Sequence, residues 1–290
     1  MALNIIENLT KRFLEICDEH KIRYDAGIVT NGYLLTASTV AAFKDLKISG
    51  IQVTLDGSPE EHNKRRPLIG GKPTFDKIIA NLRENKEILP CNVSIRVNTD
   101  KHNVEQADEI LSVVKDNGLR NIVHPYLAMV ENTNNSYNDT SCFQSNEFSK
   151  IDYDFKIRND INLVGSFPKL IYNVCAADSQ NGFVINADGS IYKCWDDIGI
   201  SQRCIGNLLE QNAHNLSTLL EYMLYDPTQD EECRICKYLP ICMGGCPHKR
   251  LFDTKNRCTH IKYRLNDYMV LIPIQIKERR NTKADIAANK

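Results

Sequence analysis

The chain has 290 residues, of which 42% are hydrophobic and 25% charged, so it can bury the core of one large domain or two modest ones. Its 36 Lys and Arg balance 37 Asp and Glu, giving a formal net charge of -1. The sequence therefore offers no basic field for nucleic acid or for an anionic membrane surface, and we expect neither partner.

The first residues, MALNIIENLTKRFLEIC, include acidic side chains and no uninterrupted apolar core, so they do not form a secretory signal. No later segment is apolar for long enough to span a bilayer. These features predict a cytoplasmic protein. Because that compartment is reducing, the eleven cysteines are better explained as metal ligands than as disulfide partners.

Residues 3–17 place Ile5, Leu9 and Phe13 at helical spacing, and strand-like runs then alternate with helical ones. Such alternation indicates a parallel sheet with right-handed crossovers, either doubly wound or closed as a barrel. The predicted strands are 25–30, 51–55, 93–98 and 122–129, and the predicted helices between them are 37–46, 74–87 and 104–117.

Polar residues gather where three of these strands end, the edge at which parallel sheets bind ligands. Asn31-Gly32 and Asp56-Gly57 are also ordinary turn dipeptides. Arg96 lies in an apolar strand, where its charge requires either an internal acidic partner or a ligand carboxylate. The polar segment 62–71 is expected to be a solvated loop, and the alternation stops at the Asn-rich and Ser-rich segment 131–150.

In the second half, Asp188-Gly189 between two short strand-like runs predicts a hairpin over 183–193. The hairpin would return Cys194 towards Cys175. Further on, Gly244-Gly245 precedes Cys246 and removes side chains where backbone amides would approach a cluster sulfur.

Seven cysteines in this half follow an ordered spacing, with a C-x2-C-x5-C-x3-C array at its centre. A structural zinc site would use only four of them, and a disulfide framework conflicts with the predicted compartment. Two polynuclear iron–sulfur clusters need up to eight ligands, which seven cysteines nearly supply. The seven are Cys175, Cys194, Cys233, Cys236, Cys242, Cys246 and Cys258.

The arrangement C-x13-G-x4-C, then C-x2-C-x5-C-x3-C, then a last Cys resembles the SPASM domain of radical S-adenosylmethionine (SAM) enzymes that modify peptides and proteins. The motifs T-N-G at 30–32, Q-V-T-L-D-G at 52–57, H-N-x-x-R at 62–66 and R-V-N at 96–98 resemble strand ends of the radical SAM partial barrel. The resemblance implies an α/β fold: an incomplete (β/α) partial TIM barrel over 1–150, a linker over 151–168, a small cysteine-rich SPASM iron–sulfur domain over 169–262 and a C-terminal tail over 263–290.

The resemblance also implies two auxiliary [4Fe–4S] clusters. Cys175, Cys194 and Cys246 would hold the first, and Cys233, Cys236, Cys242 and Cys258 the second. The first set is one ligand short, which leaves an open iron position for a substrate; Cys142 and Cys204 could fill it, although neither has the family's spacing.

The same resemblance places four residues at the SAM pocket, where an arginine would pair with the methionine carboxylate. Asp56 is expected to brace its strand end instead. In the sulfatase-maturing branch an Asp after the second cysteine acts as the base, but Trp195 holds that position here, so Asp196 and Asp197 are only weak catalytic candidates. The four residues of the SAM pocket are Thr54, Arg66, Arg96 and Asn98.

The C-x3-C-x2-C and G-G-E-P motifs of the family do not occur in the 290 residues, so the sequence is expected to be truncated at its N-terminus and inactive alone. The expected parent activity is hydrogen abstraction by a 5′-deoxyadenosyl radical on a peptide or protein substrate, with flavodoxin or ferredoxin as electron donor. Thioether cross-linking is the favoured product, and formylglycine formation in a sulfatase the alternative. A non-catalytic iron–sulfur or zinc module is the third hypothesis. Beyond residue 276 the chain is expected to be disordered.

Overall fold

A computed structural model describes residues 3–90, 92–133, 137–172, 174–210, 215–252 and 256–288. The chain divides into two compact units. The first unit comprises 1–131 and 138–143, and the second unit comprises 132–137 and 144–290. Across the described ranges, none of the helices combines the length and the apolarity needed to cross a bilayer.

The first unit has a four-stranded, fully parallel sheet in the order β1-β2-β3-β4, as the strand and helix alternation predicted. Its core is apolar because alternate residues of the central strands, including Val53, Ile95 and Val97, are completely buried. The elements are α1 Leu3–His20, β1 Ala26–Thr30, α2 Ala37–Asp45, β2 Ile48–Thr54, α3 Pro59–Arg65, α4 Phe75–Glu84, β3 Asn92–Thr99, α5 Glu109–Asp116 and β4 Val123–Met129.

Helix α3 corrects the expectation of a solvated loop over 62–71, because residues 62–65 are its second half. The Ser58 side chain accepts a hydrogen bond from the Glu61 amide, Pro59 begins the helix and two acidic residues fill its first turn. These are standard signals for a helix start, and here they outweigh the polarity of the segment. His62 is consequently fully buried.

The second unit contains a small antiparallel sheet in the order β5-β6-β7. The predicted hairpin forms its first two strands, and Gly189 at the turn has φ +84°. The elements are α6 Ser145–Arg158, β5 Val184–Ile185, β6 Ser190–Tyr192, β7 Gly206–Asn207, α7 Leu216–Met223, α8 Glu231–Arg234, α9 Leu239–Cys242, α10 Pro247–Phe252 and α11 Leu265–Ala288.

Parts of the two segments that were expected to be a linker and a disordered tail pack against each other. Residues 151–158 belong to α6, and Leu163 is completely buried against Tyr268 and Ile272 of α11. Tyr268 and Ile272 lie one helical turn apart, so a single face of α11 closes this small core. The helix continues to Ala288, so the expectation of disorder beyond residue 276 is wrong for the described residues.

Candidate functional sites

Asp56 joins the ends of two strands to helix α3 in the first unit. Its carboxylate accepts hydrogen bonds from Arg66 Nε at 2.7 Å and from the Asn98 backbone amide at 3.2 Å. The Asp56 amide itself donates to His62 Nδ1 at 3.2 Å. Asp56 is almost completely buried, and it braces the strand end as the sequence predicted.

The H-N-x-x-R motif fixes the chain between α3 and α4. His62 Nδ1 accepts from Asp56, so Nε2 carries the proton and donates to Thr74 Oγ1 at 3.1 Å. Asn63 Oδ1 accepts from the amides of Thr74 and Phe75. Burial lowers the pKa of His62 to about 4, which keeps the ring neutral in this network. His62 thus stabilises the strand end, although it lies in a segment that we expected to be a loop.

The four residues predicted to line the SAM pocket lie close to this strand end. Thr54 is the last residue of β2 and is paired in register with Arg96 of β3. Arg96 Nε donates to Asn98 Oδ1 at 2.8 Å. Among the described residues Arg96 has no carboxylate partner, whereas Arg66 is ion-paired with Asp56. The sequence allowed either an internal acidic residue or a ligand carboxylate as the partner of Arg96. In the described part of the chain, no acidic residue is paired with it.

The four thiols predicted to hold the second auxiliary cluster line one pocket of the second unit. This pocket has an empty volume of about 340 Å³, part of which is open to solvent. Two basic side chains, Arg257 and Lys262, also line it, and Lys262 Nζ donates to Cys258 Sγ at 3.5 Å. Soft thiolates beside cationic donors suit an anionic iron–sulfur cluster. The thiols are those of Cys233, Cys236, Cys242 and Cys258.

An ion pair between Arg257 and Asp230 joins the two ends of this thiol set. Arg257 donates to both carboxylate oxygens of Asp230, at 2.5 and 3.2 Å, and the same carboxylate accepts from the Cys233 amide at 2.9 Å. The guanidinium lowers the pKa of Asp230 to about 2. Cys233 and Cys258 are thereby held together although 24 residues separate them in the sequence.

Gly245 allows the Cys246 and Cys258 segments to approach each other. The Cys246 amide donates to the Arg257 carbonyl at 3.1 Å, and a Cβ on Gly245 would lie 1.9 Å from that carbonyl oxygen. The Gly245 amide donates to the Cys242 carbonyl, so it does not face a sulfur in the manner that the sequence suggested. The glycine is required for close backbone approach, which also needs its φ of +79°.

The three thiols predicted to hold the first auxiliary cluster are tied together less directly. Cys175 precedes a 3₁₀ turn whose Asp178 is ion-paired with Arg250 of α10, and Cys246 immediately precedes α10. Burial raises the pKa of the Cys246 thiol, and the backbone amides of Lys249 and His248 at the start of α10 oppose that rise. Burial raises the pKa of Cys194 to about 12, and the nearby Cys246 contributes to that rise. This arrangement places the Cys246 sulfur at the start of a helix and within electrostatic reach of Cys194.

The two weak catalytic candidates, Asp196 and Asp197, have different surroundings. Asp197 is completely buried and accepts hydrogen bonds from Arg203 Nη1 and Tyr222 Oη, both at 2.8 Å, and it lies 3.3 Å from His248 Nε2. Burial raises the pKa of Asp197, but these three partners lower it by more. Asp197 therefore stabilises the fold as a carboxylate. Asp196 is half-buried, with Oδ2 3.8 Å from Cys194 Sγ.

The remaining cysteines lie elsewhere. Cys204 Sγ donates to the Gly206 carbonyl at 3.2 Å, and Cys142 belongs to the first unit. Cys17 is part of α1, and Cys91 lies outside the described residues. Within the described ranges, no group of three or more His, Cys, Asp or Glu side chains is arranged to hold a single metal ion.

Comparison with known proteins relates the chain to one kind of enzyme. No protein-family model matches it. It is 24% identical over 257 residues to the cysteine-type anaerobic sulfatase-maturating enzyme of Clostridium novyi (strain NT), covering 81% of this chain and 67% of that protein. The enzyme of the same name from Clostridium perfringens (strain 13 / Type A) is 24% identical over 275 residues, covering 84% and 70%.

Solved structures of such an enzyme have a fold similar to that of this chain. Polyhistidine-tagged anSMEcpe with bound AdoMet superposes with a TM-score of 0.63 at 17% identity, covering 92% of this chain and 77% of that one. Native anSMEcpe with bound AdoMet and the Kp18Cys peptide gives 0.62, again at 17% identity, covering 92% and 81%. The chain thus has the α/β fold of anSMEcpe, with the parallel sheet of a partial (β/α) barrel in its first unit, and is similar in sequence to cysteine-type anaerobic sulfatase-maturating enzymes.

Proposed function

We propose that this protein acts in the radical SAM maturation of a sulfatase, converting a cysteine of that substrate to formylglycine. The observation that carries the proposal is the sequence similarity to cysteine-type sulfatase-maturating enzymes, which extends over 81% to 84% of the chain and so over both units. Of the two reactions that the sequence allowed, thioether cross-linking has less support. The peptide in a solved anSMEcpe structure supports a peptide segment of a protein as substrate.

Arg96 is the residue best suited to the carboxylate of SAM. It lies at the carboxyl end of a parallel sheet, where this class of fold binds ligands, and has no carboxylate partner among the described residues. A guanidinium binds a carboxylate through two parallel hydrogen bonds, so a ligand can supply what the fold does not. Thr54 and Asn98 would contribute polar contacts beside it. Arg66 would act mainly through Asp56, which it already neutralises.

Two auxiliary [4Fe–4S] clusters are proposed for the second unit. The four-thiol pocket fits a polynuclear cluster, because four thiols share one cavity and Lys262 already donates to one of the sulfurs. The buried hydroxyl of Tyr225 supports this fit, since no described residue forms a hydrogen bond with it and a Cβ on Gly244, which lines the pocket, would lie 3.3 Å from it. Cys175, Cys194 and Cys246 would hold the other cluster.

When bound, SAM and a reduced cluster would supply the 5′-deoxyadenosyl radical. The auxiliary clusters would accept the electron that the substrate loses as it is oxidised. The chain's own residues do different work. Arg96 orients a carboxylate, the network of Asp56 and His62 holds the strand end rigid, and the Arg257–Asp230 pair holds two distant thiols together. A flavodoxin or ferredoxin is the proposed electron donor.

Cofactor content tests the cluster part of the proposal. Protein reconstituted anaerobically with iron and sulfide should be brown and contain two clusters' worth of iron and acid-labile sulfide. A Cys233→Ala and Cys236→Ala double variant should lose about half of both. Colourless protein with stoichiometric zinc would instead identify a zinc module and contradict the proposal.

Product analysis tests the reaction. The assay uses the protein encoded by the whole genomic reading frame, together with any in-frame sequence upstream of Met1. This protein is incubated with SAM, a reductant and a sulfatase-derived peptide containing one cysteine, and the mass of the peptide is then measured. Formylglycine should form from the Cys peptide but not from the same peptide with Ala. Thioether formation in a Cys-rich peptide would overturn the proposal in favour of cross-linking. Reading the DNA upstream of Met1 for an in-frame C-x3-C-x2-C shows whether this frame encodes the radical-generating site.

A further inference from the structure

The loop between the two proposed ligand sets has a left-handed backbone. Its residues Met243, Gly244 and Gly245 have φ values of +46°, +84° and +79°. They connect Cys242, of the second thiol set, to Cys246, of the first. Glycine adopts this conformation without strain, whereas the Cβ of methionine makes it unfavourable. The loop that leads from one cluster site to the other therefore needs contacts that hold Met243 in place.

Arg250 of helix α10 supplies such contacts. Its Nη1 donates to the Met243 carbonyl at 3.1 Å and to the Gly245 carbonyl at 3.4 Å. The guanidinium also stacks over the Tyr225 ring, with Cζ 4.1 Å from the ring centroid. That ring packs closely on the loop, since a Cβ added to Gly244 would lie 3.1 Å from its Cε1. The loop is thus held by Arg250 and by the ring on which Arg250 stacks.

The other terminal nitrogen of Arg250 binds the segment around Cys175. Nη2 forms an ion pair with Asp178, which lies in the 3₁₀ turn that follows Cys175. The same carboxylate accepts a hydrogen bond from the Val174 amide at 3.0 Å, so it contacts the chain on both sides of Cys175. The Arg250 and Asp178 side chains are only 4% and 11% exposed, and solvent therefore weakens their attraction little.

These contacts give Arg250 more than the role of a simple ion pair. An ordinary pair joins two elements, whereas this guanidinium joins the loop between Cys242 and Cys246 to the segment around Cys175. The planar fork of an arginine can bind carbonyls and a carboxylate at the same time, which the single ammonium of a lysine does less well. Each segment that Arg250 contacts through a hydrogen bond adjoins a proposed cluster ligand.

We propose that Arg250 is a positioning residue shared by the two cluster sites. It holds the left-handed loop that presents Cys242 to one cluster and Cys246 to the other, and it fixes the Cys175 segment beside that loop. This inference rests on the proposed function, since it assumes that both clusters are present. Arg250 acts through the backbone of the ligand segments. The loss of its guanidinium should therefore impair both clusters, whereas the loss of one cysteine should impair one.

The test measures iron content and the EPR signals of both clusters after reconstitution, at a temperature where circular dichroism shows each protein to be folded. Arg250→Gln should bind both clusters about tenfold more slowly, the order expected from losing hydrogen bonds to a charged group. Arg250→Lys keeps the charge without the fork and should give an intermediate rate. A residue that only stabilised the fold would lower the melting temperature and leave the signals of the folded protein unchanged.

Three further variants separate the contacts of Arg250. Asp178→Asn breaks the tie to the Cys175 segment but leaves Arg250 on the loop, so it should slow the binding of the first cluster alone. Met243→Gly removes the side chain that makes the loop unfavourable, so adding it to Arg250→Gln or Arg250→Lys should restore part of the rate. Arg264→Gln removes a more exposed ion pair of the same unit and should match the wild type.

Wild-type iron content, rates and EPR signals in folded Arg250→Gln would overturn the inference, and so would impairment of only one cluster. If Arg250→Gln does not fold, the other variants decide. Equal impairment of both clusters by Asp178→Asn, or no recovery when Met243→Gly is added to Arg250→Lys, would then contradict the inference. Wild-type protein that binds fewer than two clusters would contradict the proposed function, and this inference with it.

Discussion

Arg257 and Asp230 form a two-point ion pair between segments 27 residues apart, with Nη1···Oδ2 at 2.5 Å and Nη2···Oδ1 at 3.2 Å. Both side chains are mostly buried. Because Asp230 also accepts from the Cys233 amide and Arg257 directly precedes Cys258, this one contact positions two thiols of the same pocket. This contact between protein groups therefore arranges part of the site proposed for the second cluster.

Breaking this pair should weaken both the fold and the site. We expect Arg257→Gln to destabilise the second unit by about 1 to 3 kcal/mol, the usual effect of losing hydrogen bonds to a charged group. Thermal denaturation of the metal-free protein measures the loss, and the rate of cluster reconstitution should fall with it. Lys150→Gln, which removes an exposed ion pair in α6, should change neither by a comparable amount.

Gly245→Ala should have a larger effect than any change of side-chain polarity nearby. Its Cβ would meet the Arg257 carbonyl oxygen at 1.9 Å, so the Cys246 and Cys258 segments would have to separate. We expect a loss of at least about 3 kcal/mol, together with loss of cluster binding.

Gly199→Ala provides the matched control for this substitution. Gly199 has a similar φ of +87°, but nothing lies within 4 Å of its added Cβ. Only the backbone strain of about 1 kcal/mol should remain there. Equal melting temperatures for the two variants would contradict the role of close backbone approach at Gly245.

Lys262 should set the reduction potential of the second cluster. Its ammonium group donates to Cys258 Sγ at 3.5 Å, and a cation beside a cluster stabilises the added electron. Lys262→Gln should therefore make the potential more negative by roughly 40 to 90 mV, which corresponds to a contact worth about 1 to 2 kcal/mol in a one-electron step. An EPR-monitored redox titration measures this shift.

Two variants separate charge from simple disturbance at this position. Lys262→Arg keeps the cation and should leave the potential near that of the wild type. Lys237→Gln removes a lysine that stacks over Tyr238 and does not line the thiol pocket, so it should have little effect. A potential that is the same in Lys262→Gln and wild type would show that the ammonium does not act on the cluster.

Several features of the fold were predictable because they follow from local patterns. Strands buried on both faces are nearly continuous apolar runs, which is why the four parallel strands were located to within a few residues. The spacing of Cys233, Cys236 and Cys242 similarly predicted that these thiols lie close together, and they line one pocket. Helix α3 was missed although Ser58 and Pro59 are typical helix-start residues, since its polar composition favoured a loop.

Other features depend on contacts between distant segments, which spacing does not record. The ion pairs of Arg257 with Asp230 and of Arg250 with Asp178 join residues 27 and 72 positions apart. The burial of Leu163 under α11 likewise depends on a helix that begins about a hundred residues later. The position of Asp196 beside Cys194 depends on the 3₁₀ turn between them, which the sequence does not predict.

The buried His62 should make the first unit sensitive to mildly acidic pH. Burial lowers its pKa from 6.5 to about 4 in the folded chain, so between these values the unfolded chain binds the proton and the folded chain does not. Stability is therefore complete above pH 6.5 and falls as the pH decreases towards 4. The difference in pKa corresponds to a loss of about 3 kcal/mol.

Denaturant unfolding followed by circular dichroism at pH 7 and pH 5 measures this effect. His62→Gln should be less stable than wild type at pH 7, because the ring packs edge-on against Phe75 and accepts from the Asp56 amide. Its stability should, however, decrease less than that of the wild type between pH 7 and pH 5. His20→Gln, at the exposed end of α1, is the control for a histidine that lies outside this network. An equal loss of stability in wild type and His62→Gln would assign the acid sensitivity to other groups.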